Sequence, residues 1–532
     1  MRISGLFGRV TLFLCFLLPI PPAASQVGCL TCHVAAAQHL LPGHQFATAP
    51  CSSCHRGDES AVDEVGAHAG LVASPGLMQN AAQTCGVCHK SHVDAVAQSP
   101  MHTGRGIVHK TRELLGDEAD ALRPGTLQTL GDGIPDGLMR KLCAGCHLGR
   151  DSGREEKAPV FRRGGGCLAC HLGTTPGAGH PGLSARVGDD RCFGCHSRSG
   201  RIALNYAGLA EVDPGSAVDN PGSLARLADG RLVRRMGSDV HHRAGMACID
   251  CHTGAGLMGF LAHGPGSGID VRCADCHANP NPRITPSQWP LDQRGRLRDI
   301  PFPYTQEQPF LTTANGTPLW HIQLQAGEAY LYPKLGGAAI RIPIAAADHV
   351  PSAEGHRRLD CDTCHARWVP TCLGCHVEYV PDGQQWDYLE NKITPGAWQE
   401  KRWEIDAGKP VLGLVDSQHI GVFTPGMIMT LAHPQLEQER FLRHFAPLSP
   451  HTSGKARACE DCHRSPVGLG LGKGTLSAEG EAVRFEPAAS LLRDGLPADA
   501  WTGLAGDMSE NDTDYPRPFS PQEIDRILRA HP

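Results

Sequence analysis

One five-residue pattern, Cys-x-x-Cys-His, occurs eleven times in the 532-residue chain. Of the 23 cysteines, only Cys15 lies outside these copies. The cysteines and the histidine of the successive copies are Cys29, Cys32 and His33; Cys51, Cys54 and His55; Cys85, Cys88 and His89; Cys143, Cys146 and His147; Cys167, Cys170 and His171; Cys192, Cys195 and His196; Cys248, Cys251 and His252; Cys273, Cys276 and His277; Cys361, Cys364 and His365; Cys372, Cys375 and His376; and Cys459, Cys462 and His463.

Paired cysteines alone are compatible with a disulfide scaffold, with zinc sites or with reactive dithiols. None of these requires a histidine directly after the second cysteine. Histidine is 29 of 532 residues, so eleven chance occurrences have a probability of about 10⁻¹⁴, and the pattern is that of covalent c-type haem attachment. Two thiols bind the macrocycle and the histidine ligates its iron from one face. The sequence therefore predicts eleven covalently attached haem c groups.

The composition predicts an unusual interior. The chain has 63 glycines and 41 prolines but only 5% aromatic residues, which favours turns and leaves few bulky side chains for a core. We expect the haems to supply much of the apolar interior and to pack against one another. The predicted fold class is mainly irregular and α, with short helices and loops around a closely packed haem chain, a small β insertion and a mixed α/β C-terminal region.

The first 25 residues predict an export signal. Arg2 and Arg9 precede the apolar residues 10–20, and Ala23, Ala24 and Ser25 provide small residues for cleavage. No later segment has the roughly 20 apolar residues that a membrane-spanning helix needs. We therefore expect a protein without a transmembrane segment, in the periplasm or associated with the outer membrane or the extracellular side. The net charge of −6 makes nucleic acid an unsuitable partner.

Motif spacing and local patterns predict four regions. These are a signal peptide at 1–25, a six-haem region at 26–200, a four-haem region at 201–380 with a haem-free β insertion at about 278–348, and a C-terminal region at 381–532 with one haem. Apolar residues alternate in WHIQLQ (320–325) and IRIPI (340–344), which predicts strands. Residues 377–458 predict short strands and a helix around 433–445. Ser520, Pro521 and Glu523 form a capping-box pattern that predicts a terminal helix at 521–530.

The second axial ligand of each iron decides whether that haem only transfers electrons or can bind a substrate. Eighteen histidines lie outside the eleven motifs, so a histidine on both faces of every iron is arithmetically possible. Candidates shortly before a motif are His44, His241, His242, His356 and His451, and candidates in loops between motifs are His68, His102, His180, His263 and His349.

The other histidines outside the motifs are weaker candidates. His39, His92 and His109 have a less favourable position, and any of His419, His433 and His444 could serve a nearby haem. We expect His321, on the polar face of a strand, and His531, at the terminus, to have no ligand role.

The segment CDTCHARWVPTCLGCH (361–376) carries two motifs. Because the chain between them is short, we expect the two haems to be neighbours. Pro370 disfavours α geometry at Val369, which predicts a turned linker, and Trp368 is expected to pack against one haem.

From residue 29 to about 463 the chain resembles multihaem c-type cytochromes of bacterial respiration. CGVCHKSHVDAVAQSPMHTG (85–104) looks like the arrangement of an attachment motif followed by Ser-x-x-His in periplasmic and outer-membrane members. The resemblance implies electron relay between redox-protein donors and acceptors, across the periplasm or out to an extracellular acceptor. Decahaem cytochromes that sit in outer-membrane porins share the general pattern, which makes a porin a further candidate partner.

A catalytic alternative stays open. Multihaem reductases of small nitrogen or sulfur oxyanions can mark their active haem by replacing the motif histidine with lysine. All eleven motifs here end in histidine, so an active haem would need a missing second ligand instead. The isolated motif at 459–463 is the place where we would expect one.

Overall fold

A computed structural model describes residues 28–34, 50–116, 123–151, 158–173, 182–198, 200–213, 221–261, 268–278, 283–291, 293–345, 354–425, 428–443, 446–479, 482–488 and 515–530. The predicted signal peptide lies outside these residues. Within them, no helix is both long enough and apolar enough to cross a membrane.

The chain divides into two compact units, of which the smaller comprises Met1–Ser74 and Gly173–Gly182. Its described helices are short: the 3₁₀-helix Cys29–Thr31 and the α-helices Ser52–His55 and Glu64–Ala67. Asp63 caps the last of these helices, since its Oδ1 accepts the backbone N–H of Gly66 at 2.8 Å.

The larger unit comprises Pro75–Leu172 and Leu183–Pro532, and most of its helices have only one or two turns. Its α-helices are Met78–Ala81, Gly86–Gln98, Pro100–Thr103, Arg105–Leu115, Ile134–Leu138, Leu168–His171, Asp190–His196, Ile202–Tyr206, Val240–Arg243, Cys248–Cys251, Gly254–Leu257, Cys273–His277, Cys361–His365, Glu460–His463 and Pro521–Arg529. A π-helix spans Met139–Cys143, and 3₁₀-helices span Leu127–Thr129, Ala144–Cys146, Pro159–Phe161, Pro221–Ser223, Pro286–Gln288, Arg294–Asp299 and Glu354–Arg358.

The strands of the larger unit form small antiparallel sheets and one long hairpin. In chain order they are β1 Leu209–Glu211, β2 Leu224–Arg226, β3 Leu232–Arg235, β4 Arg283–Ile284, β5 Phe310–Leu311, β6 Ile322–Gln325, β7 Glu328–Leu331, β8 Ile340–Ile342, β9 Val369–Asp387, β10 Lys392–Gly408, β11 Val411–Leu414, β12 Ile420–Phe423, β13 Ile428–Ala432, β14 Arg440–Arg443, β15 Gly474–Glu479 and β16 Ala482–Pro487. The β6-β7-β8 sheet contains the alternating segments that predicted strands. The largest sheet has the order β10-β9-β13-β14, with β9 and β13 parallel.

Apolar side chains of the larger unit are buried in several separate clusters instead of one continuous core. One cluster lies under the β6-β7-β8 sheet, around Leu311, Leu319 and Ile322. Another joins Leu115 and Leu138 to the hairpin residues Val377 and Trp398.

Two local predictions are wrong, and one is confirmed. Instead of a helix around 433–445, a turn follows His433 and β14 pairs with β13, because Pro434 disfavours helix and the neighbouring strand supplies backbone partners. The linker after residue 365 is extended from Val369 onward, and Pro370 lies opposite Ala407 within the hairpin. The terminal helix is present with its complete capping box, in which Ser520 Oγ accepts Glu523 N–H and Glu523 Oε2 accepts Ser520 N–H.

Candidate functional site

Ten of the eleven Cys-x-x-Cys-His motifs form a helical turn in the described structure. The backbone N–H of the histidine donates to the carbonyl of the first cysteine at 2.8 to 3.0 Å in the motifs of His33, His55, His89, His171, His252 and His463, and the motifs of His196, His277 and His365 lie wholly within α-helices. One turn brings positions i, i+3 and i+4 to the same side. The two thiols and the imidazole can therefore serve one macrocycle.

The tenth motif, residues 372–376, has a different backbone. It lies in β9, where Cys372 is opposite Ile405, Cys375 is opposite Arg402 and His376 is opposite Lys401. Residues three apart along a strand do not share a face, whereas those of a helical turn do. The described backbone of this motif therefore does not fit attachment through both thiols unless it changes.

Backbone carbonyls hold the Nδ1 atoms of several motif histidines. The partners are Val72 O for His55 (2.9 Å), Ser184 O for His171 (3.0 Å), Pro343 O for His277 (2.7 Å), Gly454 O for His365 (3.0 Å) and Ile527 O for His463 (2.8 Å). Because a carbonyl only accepts, the proton lies on Nδ1 and the lone pair on Nε2. Such second-layer partners orient an imidazole for metal binding. These carbonyl partners could not be predicted from the sequence, because every residue has a backbone carbonyl and only the fold decides which one lies beside a histidine.

Five of the predicted second ligands face a motif histidine. The ring centroids are 6.2 Å apart for His68 and His33, 5.3 Å for His102 and His147, 6.1 Å for His241 and His277, 6.2 Å for His451 and His252, and 5.8 Å for His356 and His463. Two imidazoles bound to opposite faces of one metal, at about 2 Å each, have centroids roughly 6 Å apart. The five pairs therefore fit ligation by two histidines.

A side chain lies in the gap between the rings of His102 and His147. The amide nitrogen of Gln128 is 2.7 Å from His147 Nε2, and it is 3.1 and 3.3 Å from the Nε2 and Nδ1 atoms of His102. An iron ligated by both histidines requires Gln128 to leave this gap.

Burial lowers the pKa of four of these paired histidines. Burial lowers the pKa of His147 to about 4, with a further effect of His102. Burial also lowers the pKa of His252 to about 4, assisted by His451 and His196. The pKa values of His102 and His356 are lowered as well, mainly by burial. A neutral imidazole offers the lone pair that a metal needs.

Three of the candidate second ligands also have a partner at Nδ1. His102 Nδ1 contacts Ala97 O at 3.0 Å, and His241 Nδ1 contacts Asp239 Oδ1 at 2.8 Å. His451 Nδ1 contacts Ser449 O at 2.9 Å, and the backbone of His451 has a φ of 55°. A left-handed conformation at a non-glycine residue is typical of functional positions.

The remaining candidates lie outside the described residues or have other neighbours. His44, His180, His263 and His349, with His39, His444 and His531, lie outside the described residues. His242 packs edge-on against Tyr206 at 5.1 Å between centroids. The ring of His92 is 5.8 Å from that of the motif histidine His89, but His92 follows His89 by three residues in the same helix, and its ring also packs edge-on against Phe260 at 5.1 Å.

Three further histidines have local partners. His109 lies 4.0 Å from Glu113, and His419 lies 2.9 Å from Asp416. His433 packs against Tyr379 and Trp398.

The expected exposure of His321 on a strand face is wrong. His321 precedes β6, is 1% exposed, and its Nε2 lies 3.1 Å from Asp250 O. The loop Leu319–His321 turns into the core of the β insertion, so alternation does not extend to this residue.

Thiols of different motifs contact one another, and the described cysteines form no disulfide. In five pairs the pKa of a thiol responds to the thiol of another motif: Cys29 with Cys51, Cys85 with Cys167, Cys146 with Cys195, Cys192 with Cys248, and Cys273 with Cys361. The thiol of Cys361 therefore has a neighbour in the motif at 273–277.

Trp368, expected to pack against a haem, is buried, and its Nε1 donates to Gly237 O at 3.3 Å.

Comparison with protein families gives one match. The model of the doubled CXXCH motif family matches residues 159–201, which contain the motifs at 167–171 and 192–196. Neither curated proteins nor solved structures give a match. Together with the turn geometry, the match indicates a multihaem c-type cytochrome-like protein with an extracytoplasmic location.

Proposed function

We propose that the chain carries electrons through eleven covalently bound haems, mostly ligated by two histidines, between respiratory partners in the periplasm or toward an extracellular acceptor. When bound, each haem supplies an iron centre that exchanges one electron. The observation that carries the proposal is the set of five imidazole pairs with centroids 5.3 to 6.2 Å apart.

The chain's own residues support this function in three ways. Helical turns present two thiols and one imidazole on the same side. Backbone carbonyls hold Nδ1 so that Nε2 is the ligand atom. Facing histidines close the second axial position, which favours electron transfer over substrate binding.

The geometry weighs against an open haem at the isolated motif, where the reductase alternative would place one. His356 faces His463 with ring centroids 5.8 Å apart. Ile527 O accepts from His463 Nδ1 at 2.8 Å. Both axial positions of this iron therefore have a ligand within reach.

Spectroscopy of the oxidised holoprotein tests the proposal. We expect low-spin electron paramagnetic resonance signals and no binding of carbon monoxide to the reduced form. In His356→Ala, one haem equivalent becomes high-spin and binds carbon monoxide, because its second ligand is lost. The control His419→Ala, which removes an exposed histidine paired with Asp416, leaves the spectra unchanged. A His356→Ala protein that stays fully low-spin and binds no carbon monoxide would sink this ligand assignment, and a wild-type haem that binds carbon monoxide would support catalysis.

A further inference from the structure

The haem-free β insertion lies on two attachment motifs. The motif at 273–277 contributes Cys276 to the apolar cluster under the β6-β7-β8 sheet. The motif at 248–252 contacts the insertion through Asp250 O, which lies 3.1 Å from Nε2 of the buried His321. The insertion therefore forms part of the surroundings of both motifs, although it carries no motif of its own.

Lys334, which follows β7 in the insertion, binds the motif at 248–252 through its backbone and its side chain. The backbone N–H of Lys334 donates to Asp250 Oδ1 at 2.8 Å, and Lys334 Nζ donates to Ile249 O at 2.5 Å. Ile249 and Asp250 are the two residues between the cysteines of this motif. The ammonium is therefore held against the turn that attaches the macrocycle.

The side chain of Lys334 is partly buried and keeps its charge. Its Nζ lies 5.6 Å from the centroid of the Trp320 ring, and the atom to which it donates is a neutral carbonyl oxygen. Burial lowers the pKa of Lys334 to about 8, and the carboxylate of Asp250 opposes this shift. At pH 7 the side chain is therefore mostly protonated, and water screens its charge less than that of a surface lysine.

The neighbouring titratable groups do not duplicate this charge. Asp250 is 2% exposed and binds the backbone N–H of Lys334, not its ammonium. Burial, with a smaller effect of Lys334, lowers the pKa of His321 well below its usual value, so this ring is neutral. Arg296 is a further cation nearby, but its side chain is 47% exposed and lies 3.2 Å from Asp299. Among these groups, Lys334 brings a shielded positive charge to the motif.

We propose that Lys334 raises the reduction potential of the haem attached at 248–252. Reduction adds one electron to the iron, and a fixed positive charge beside it stabilises the reduced state. The inference rests on the proposed function and refines it, because it gives the haem-free insertion a role in setting the direction of electron flow. With Lys334 in place, this haem is a better electron acceptor than it would be without the lysine.

A change of spin state isolates this haem from the others in the holoprotein. His451 faces His252 with ring centroids 6.2 Å apart, so in His451→Ala the iron at 248–252 should lose its second ligand and give a high-spin electron paramagnetic resonance signal. The disappearance of this signal during a reductive titration measures the midpoint potential of this haem alone. The titration is made in His451→Ala and in the same background with Lys334→Met, Lys334→Arg or Arg296→Met.

The charge of Lys334 predicts the order of the midpoint potentials. Lys334→Met removes the charge and keeps the length of the side chain, so the equilibrium constant for reduction should fall by about tenfold, which is about 59 mV for one electron. Lys334→Arg keeps the charge and should keep most of the midpoint potential. The matched control Arg296→Met removes an exposed cation near the same motif, since a side chain at Gly254 would meet Arg296 Nη2 at 4.0 Å, and should shift the midpoint much less.

Three results would overturn the proposal. One is a midpoint that Lys334→Met leaves unchanged, even if this variant unfolds more easily. Another is an equal shift in Lys334→Met and Arg296→Met, since the haem would then respond to the surface charge in general. The third is an equal fall in Lys334→Met and Lys334→Arg, which would assign the effect to packing and not to charge.

Failure of the proposed function gives different results. His451→Ala without a high-spin signal contradicts ligation by His451, and a wild-type protein that takes up no electrons contradicts electron relay itself. If His451→Ala gives no high-spin signal or does not assemble, Lys334→Met is titrated in the otherwise wild-type chain and followed by haem absorbance. One of the one-electron components should then move to lower potential, and a titration curve identical to that of wild type overturns the role of Lys334.

Discussion

The segment matched by the doubled-motif family, residues 159–201, and the long hairpin β9–β10 carry the same pentapeptide in different backbones. In the first, Cys192–His196 completes the helix Asp190–His196, and the backbone of Arg162 lies on Gly194. In the second, residues 372–376 are extended, with β10 on one side and β13 on the other. The pentapeptide is thus compatible with either backbone, and its neighbours decide which one forms.

The comparison indicates which part of the hairpin must rearrange when a haem is attached to residues 372–376. Two thioether bonds to one macrocycle need both cysteines on one side, as in the helical turn. At 372–376 the cross-strand pairs with residues 401–405 would have to give way. An eleventh haem at this motif therefore requires the local strand pairing to open.

The largest expected effect is the loss of a whole haem from the hairpin. Under the proposed function, Cys372→Ala/Cys375→Ala lowers the intact mass of the holoprotein by one haem, as does the matched variant Cys361→Ala/Cys364→Ala in a helical turn. Mass spectrometry of the three proteins measures this directly. If the hairpin variant loses no haem while the control does, the strand persists and the protein carries ten haems.

Local signals in the sequence predict local structure here. The terminal helix follows from Ser520, Pro521 and Glu523, and the strands of the β insertion follow from alternation at 320–325 and 340–344. The candidates His102 and His451 follow from an excess of histidines outside the motifs, but their partners His147 and His252 are distant in the chain and could not be assigned. The signals for the helix and the strands, in contrast, lie within the elements that they predict.

The order of the motifs does not follow from the sequence, because distant segments set it. Cys85 meets Cys167, and Cys273 meets Cys361, over separations much longer than any local pattern. The hairpin was missed as well, since the partner of residues 369–387 is itself a long strand with an irregular apolar pattern. Tertiary pairing of this kind overrides local propensity.

A buried ion pair joins the two helices that pack against the hairpin β9–β10. Arg112 and Asp136 are 1% and 0% exposed, and two hydrogen bonds of 2.7 and 2.8 Å join them. Their helices carry Leu115 and Leu138, which pack against Val377 and Trp398. We expect Asp136→Asn to lower the free energy of unfolding by about 3–5 kcal/mol, because it leaves a buried guanidinium without its counter-ion.

The stabilisation that the Asp136 carboxylate provides should depend on pH. Burial favours a raised pKa of Asp136, but hydrogen bonds from Arg112 and Gly131 outweigh it and hold the pKa below its usual 3.8. The stabilisation is therefore complete above about pH 4 and is lost as the pH falls through the lowered pKa. Chemical denaturation at several pH values should show the wild-type advantage shrinking in acid. The control Asp132→Asn removes a 97% exposed carboxylate and should cost under about 1 kcal/mol; equal losses for both variants would contradict the prediction.

In the helical motif at 192–196, a substitution at Gly194 should lower the free energy of unfolding by a smaller but measurable amount. Gly194→Ala places a methyl group 1.7 Å from Arg162 O and 2.6 Å from Arg162 C, and backbone atoms cannot move aside as a flexible side chain can. We expect a loss of about 1–3 kcal/mol and a lower midpoint of thermal unfolding. In the control Gly106→Ala, a helical glycine with open space gains about 0.5–1 kcal/mol. If Gly194→Ala is as stable as wild type, then Arg162 does not lie on this turn, and the contact that distinguishes the helical motif from the hairpin motif is absent.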